Sequence, residues 1–101
     1  MKIEVWYSRD PLDMIGELTG KELPKDVSQH EMVAAMDLLP LPDEGWEEMA
    51  DRVFRLMNNV DGDELCVELG VRSMSVGDIV RFGQTAEALS LLCMMMGWKE
   101  L

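Results

Sequence analysis

The sequence predicts an α+β domain with one main helix packed against a small sheet, and three stretches carry that reading. In "KIEVWY", residues 2 to 7, Ile3, Val5 and Tyr7 alternate with Lys2, Glu4 and Trp6, the period of a half-buried strand. In "PDEGWEEMADRVFRLMNNVDGD", Trp46, Met49, Ala50, Val53 and Met57 recur at helical spacing, which predicts a helix over about 44–58. In "GVRSMSVGDIVRFG", residues 70 to 83, a small polar turn closes on Gly77-Asp78 and then becomes apolar, so Ile79 to Phe82 reads as a further strand.

The size suits this class. A chain of 101 residues, 48% of them apolar, forms one domain spanning residues 1–101 that buries enough surface to fold without disulfides or metals. Cys66 and Cys93 form no CxxC pair and have no neighbouring histidine, so they are expected to be reduced, buried thiols of an intracellular protein, with no metal site and no cofactor. The amino terminus lacks the apolar core of a signal peptide. The longest uncharged run, Ala88 to Trp98, is about half the ~20 residues that span a bilayer, so no membrane association is expected.

The elements follow in order. "SRDP" stops the first strand, and Pro11 to Lys25 is an excursion over the surface in which "LDMIGEL" forms at most a short helix before Gly20 and Pro24. "HEMVAAMDLL", residues 30 to 39, has helical composition but the length of a strand and a Pro40-Leu41-Pro42 stop. Asp43 is the expected N-cap of the main helix, with acids in its first turn and Glu48–Arg52 and Asp51–Arg55 as i,i+4 pairs. Asn58, Asn59 and Asp61-Gly62 end it, and "DELCVELG" is expected to be a loop or short extended piece. Gly77 supplies a positive φ and Asp78 closes the turn on backbone amides. Gly83-Gln84-Thr85 is expected to turn the chain into "AEALSLLCMMMGW", which reads as helix by propensity and as strand if it completes a hairpin.

"MKIEVWYSR", "VFRLMNNVDG", "RSMSVGDIV" and "GWKEL" together resemble a family of small uncharacterised proteins encoded by phages and other mobile elements. The resemblance covers about a third of the chain, carried by Lys2 to Arg9, Phe54 to Asp61, Arg72 to Val80 and Gly97 to Leu101. It implies a hairpin near the end. Residues 30–39 and 88–96 then become strands, and the order along the chain is β-β-α-β-β in an antiparallel sheet. It also implies a bacterial host cytoplasm as the setting.

Charge narrows the function classes. Twenty acidic residues against nine basic ones give a net charge of −11, which disfavours direct binding to nucleic acid or anionic membrane and favours a basic partner. The imbalance sits in the middle, where residues 43–68 carry nine acids and two bases. Asp43, Glu44, Glu47, Glu48 and Asp51, extended by Asp61, Asp63, Glu64 and Glu68, form the candidate partner-binding row. Helical carboxylates at i, i+3 and i+4 stand about 5–6 Å apart, comparable to successive phosphates, so such a row can imitate a nucleic-acid backbone.

Catalytic chemistry is not expected. His30, the single histidine, lies beside Glu31 and reads as a surface or strand-start residue. "NVDGDE" departs from calcium-loop spacing, and the 72–78 turn lacks the glycines and lysine of a phosphate loop. The expectation is a phage-encoded, non-enzymatic inhibitor of a host defence protein with a basic groove, a CRISPR effector or another nuclease. The alternative is a small interaction module, homodimeric through the apolar strand of Leu89, Leu91 and Met95.

Overall fold

The computed structural model describes residues 1–58, 65–83 and 87–101. Five antiparallel strands, β1 (Lys2–Ser8), β2 (His30–Asp37), β3 (Ile79–Phe82), β4 (Leu89–Cys93) and β5 (Trp98–Glu100), lie in the order β2-β1-β3-β4-β5. The helices are α1 (Gly16–Thr19), preceded by a 3₁₀ turn over Pro11–Ile15, α2 (Trp46–Leu56) and α3 (Leu65–Leu69). This is the α+β class that the alternation in β1 and the helical stripe of α2 predict. Among the described residues no helix is long and apolar enough to cross a membrane.

The main core lies between α2 and one sheet face. Alternation in β1 turns Ile3, Val5 and Tyr7 inward, where they join Met49, Ala50 and Val53 of the helix, Met57 at its C-cap, and Val80, Phe82, Leu91 and Cys93 of β3 and β4. Burying each large side chain contributes roughly 1.5–3 kcal/mol. Trp98 of β5 closes one side, its ring edge-on to Phe54 at 6.4 Å.

One end of the second face is also buried, while Glu4, Arg81, Ser90 and Lys99 leave the rest of it polar and partly exposed. Ile79 and Leu92 stand opposite each other in β3 and β4 and are fully buried, yet they are separate from the helix-side cluster. The excursion of residues 11–25 lies at this end of the sheet, where Asp13 meets Ser8 and Gly77. Met95 N–H donates to Glu17 Oε2 at 2.7 Å, and Glu22 to Lys25 line a cleft with Lys99, Glu100 and Leu101.

Several expectations are corrected. The main helix runs from Trp46 to Leu56, shorter than 44–58, and its N-cap is Gly45, not Asp43, which sits in the loop at φ 60. Arg52 reaches Glu44 instead of Glu48, because Glu44 and the Leu39 carbonyl lie in the loop that folds against the helix. The 65–69 part of "DELCVELG" is helical, with Cys66 turned into the core. Only Leu89 to Cys93 of residues 88–96 are strand; the chain turns through Met94–Gly97, with Met94 N–H donating to the Gly97 carbonyl, and returns as β5. Gly97 at φ 80 permits that turn. The expected hairpin turn after Gly83 lies mostly outside the described residues.

Candidate functional site

The predicted acidic row is only partly assembled. α2 is pinned by Met49, Ala50 and Val53, so its opposite side, bearing Glu47, Glu48 and Asp51, faces solvent. Glu47 and Asp51 are one helical turn apart, and Glu48 lies beside them. Asp51 is held in place by the Trp98 indole, which donates to its Oδ1 at 2.8 Å. Glu48 folds back over Gly45: its Oε2 lies 2.6 Å from where a Cβ on that glycine would stand. This places a carboxylate over the helix N-terminus, where the exposed amides favour negative charge.

Glu44 leaves the row. Its side chain is 6% exposed; Oε2 lies 2.7 Å from Arg52 Nε, and Oε1 accepts the Leu41 N–H at 3.0 Å. Asp43 is exposed but belongs to the loop, and Glu68 is exposed on α3. Asp61, Asp63 and Glu64 lie outside the described residues. A feature that charge alone does not show adjoins the row: Trp46, about half exposed, leans on Phe82 at 5.2 Å between ring centroids, and Leu39 and Leu41 are exposed in the preceding loop.

The 72–78 turn is an anion cradle filled by its own side chain. Asp78 is fully buried. Its carboxylate accepts the N–H of Ser8 (2.9 Å) and of Ser75 (2.8 Å) and takes two guanidinium bonds from Arg72, at 2.7 and 2.8 Å. Arg72 lies 4.1 Å over the Tyr7 ring, and the Tyr7 hydroxyl donates to the Arg72 carbonyl at 2.9 Å. Asp78 raises the pKa of Arg72, and burial, then Cys66 and Asp78, raise that of Tyr7. The four donors on one carboxylate lock the end of β1 to the start of β3. The turn therefore positions a strand.

Asp13 and His30 form a second buried polar pair of sites beside it. Asp13 receives Lys21 and the Ser8 hydroxyl. Burial works to raise its pKa, but the hydrogen bonds from Lys21 and Ser8 prevail and hold it below 3.8. His30 opens β2 as expected, but it is buried, 3% exposed, and not on the surface. Its Nε2 lies 2.7 Å from the Gly77 carbonyl, which only accepts, so Nε2 carries the proton; Nδ1 meets no partner among the described residues. Sequence reasoning passed over Asp13; its signal was a lone acid inside the apolar "PLDMI". On the solvent side of Asp13, a groove of about 580 Å³ is lined by Arg9, Asp10, Lys21, Lys25 and Asp26 among others, charges of both signs that select no one ligand.

Both thiols are buried. Cys66 Sγ donates to the Met57 carbonyl at 3.0 Å, and burial, followed by the carboxylates of Asp78, Asp51 and Glu17, pushes Cys93 up to about 12. Among the described residues no three His, Cys, Asp or Glu side chains come together as a metal site. Comparison of the chain with family models, with curated proteins and with solved structures found no match.

Proposed function

We propose that this chain is a non-enzymatic inhibitor that occupies the basic, nucleic-acid-binding groove of a nuclease with the acidic side of α2. The observation carrying this reading is that Glu47, Glu48 and Asp51 share the solvent side of a helix whose other side is fixed in the core. Held this way on a rigid element, the carboxylates lose little conformational freedom on binding, and a chain of −11 displaces counterions from a basic groove as a nucleic acid does. The exposed Trp46 beside them supplies the large aromatic surface on which such contacts centre. The choice of host defence nucleases, CRISPR effectors first, rests on the mobile-element setting that the four resembling segments suggest, together with the small size and acidity of the chain.

The test is inhibition of a purified effector nuclease by the wild type and by the triple variant Glu47→Lys, Glu48→Lys, Asp51→Lys. The reading expects the wild type to compete with the nucleic-acid substrate, more weakly as salt rises, and the variant to lose inhibition while still unfolding in one cooperative transition. Equal inhibition by both would reject α2 as the binding surface. The apolar strand behind the homodimer alternative gives that reading less footing: β4 lies inside the sheet and Leu91 is buried, so of its named residues Met95 alone is well exposed.

A further inference from the structure

The two edges of the sheet differ in a way the acidic helix does not account for. β5 is three residues long and carries Lys99 and Glu100, the shortness and charge with which natural sheets blunt an edge. β2 is eight residues long, and its centre, Met32 to Met36, holds no charge and no proline. Apart from the charges at its ends, its protective device is the irregularity opposite Val5 and Trp6, where Val33 has no partner in the register.

The register shows which backbone groups this edge presents. Leu38 N–H donates to the Met1 carbonyl and the Met1 ammonium to the Leu38 carbonyl, both at 3.0 Å, so these two residues form a hydrogen-bonded pair. Alternation then turns Met36 and Ala34 toward β1 and leaves the N–H and C=O of Asp37 and Ala35 pointing outward. In β1 the even-numbered residues face β3, as Gly83 N–H to the Lys2 carbonyl and Ser8 N–H to Asp78 show. Met32, opposite Trp6, therefore also points its backbone outward.

We propose that β2 is a docking edge that takes an extended, basic segment of a partner protein as a sixth strand. The backbone groups of Met32, Ala35 and Asp37 would supply the ladder, which fixes the occupant as a strand. Charge fixes its sign: Asp37 is already paired with the Met1 ammonium and Lys2, but Glu31 is exposed at the other end of the edge and the chain carries −11, so a Lys- or Arg-bearing strand is attracted while a second copy of this chain is repelled. The half-exposed Met32 and the exposed Ala35 offer a smooth apolar surface for alternate side chains of that strand. The inference shares with the proposed function only the sign of the partner's charge, since it concerns a different surface.

The probe is an acetylated peptide of alternating Lys and Val, about eight residues long to match a typical strand, added to the isotope-labelled protein while amide hydrogen exchange is followed. The amides of Met32, Ala35 and Asp37 are expected to slow by at least about tenfold. Ala35→Pro removes an outward N–H without touching a bond to β1, so it should weaken the peptide by about tenfold or more at an unchanged unfolding midpoint. Ala35→Lys, which keeps the backbone and adds a like charge, should weaken it as well. Protection at these amides must survive the triple reversal on α2, which separates this edge from the acidic helix. Peptide binding that maps to Glu47, Glu48 and Asp51 alone, or no binding, overturns the proposal. So does self-association of the free protein that Ala35→Pro abolishes, because it gives the edge to a second copy.

Discussion

Asp78 is the residue on which the chain's most distinctive stretch turns. A buried carboxylate with four donors is stabilised by its partners, and deleting it leaves two amides and a guanidinium unmatched. Asp78→Ala should therefore cost about 3 kcal/mol, since Arg72 is partly exposed and recovers some hydration, and Asp78→Asn less; urea unfolding of the two variants measures both. Gly77→Ala tests the same turn from the backbone. At φ 95 an L side chain is strained, and its Cβ would stand 2.8 Å from that of Asp13, so a loss of about 1–3 kcal/mol is expected. Asp13 gives the pH dependence. Its folded pKa lies below the ordinary 3.8, so the unfolded chain binds the proton more readily. Its stabilisation is present above that value and is lost as pH falls through the lower folded one. Asp13→Asn should flatten the decline in the urea midpoint below about pH 4, and an unchanged acid limb would show that Lys21 and Ser8 do not hold the charge.

At the scale of elements, the informative strand is β4. Its leucines, and the methionines that follow it, favour helix, yet Leu89 to Cys93 form a strand paired with both β3 and β5, because a buried place between two strands outweighs a propensity difference of a few tenths of a kcal/mol per residue. The residues alone leave helix and strand open here, and the strand expectation rests on the family resemblance; the end of the strand at Cys93 depends on Gly97 taking a left-handed turn that residue types alone do not single out. β1 and α2 were legible because alternation and helical stripe coincide with the buried residues. Asp43 was misread as a cap because capping preference ranks side chains, while the chain enters α2 through an extended Gly45 with Glu48 folded over it. The site was legible as charge but not as geometry: the fate of Glu44 was set by Arg52 and the Leu39 carbonyl, contacts made by tertiary folding. The buried pair Ile79 and Leu92 on the second face makes its own prediction. Ile79→Ala and Leu92→Ala should each cost about 2–5 kcal/mol, as much as truncation on the helix side, whereas a sheet open on that side would lose far less; chemical unfolding decides between them.

For the whole molecule the dominant quantity is the net charge of −11. Two electrostatic effects oppose each other in salt. Screening weakens the ion pairs, but the exposed ones, Lys25–Glu22 and Lys2–Asp37 among them, contribute little. Screening also weakens the repulsion among the excess carboxylates, which acts over a Debye length of about 10 Å at 0.1 M and across much of a molecule 37 × 31 × 23 Å in extent. With twenty acids against nine bases the repulsion prevails, so the thermal midpoint should rise as salt increases. The triple reversal on α2 changes the charge by two at each of three positions, leaving −5, and should reduce the salt dependence of the midpoint; the midpoint itself also loses the Trp98–Asp51 hydrogen bond and the Glu48 carboxylate at the helix N-terminus, so the salt slope is the quantity to read. Binding through α2 should move the other way, strongest at low salt and lost in the variant. Measuring stability and inhibition across one salt series separates the two roles of the charge: a midpoint that falls with salt would mean that ion pairs outweigh the repulsion, and inhibition that ignores salt would mean that the carboxylates of α2 are not what the partner holds.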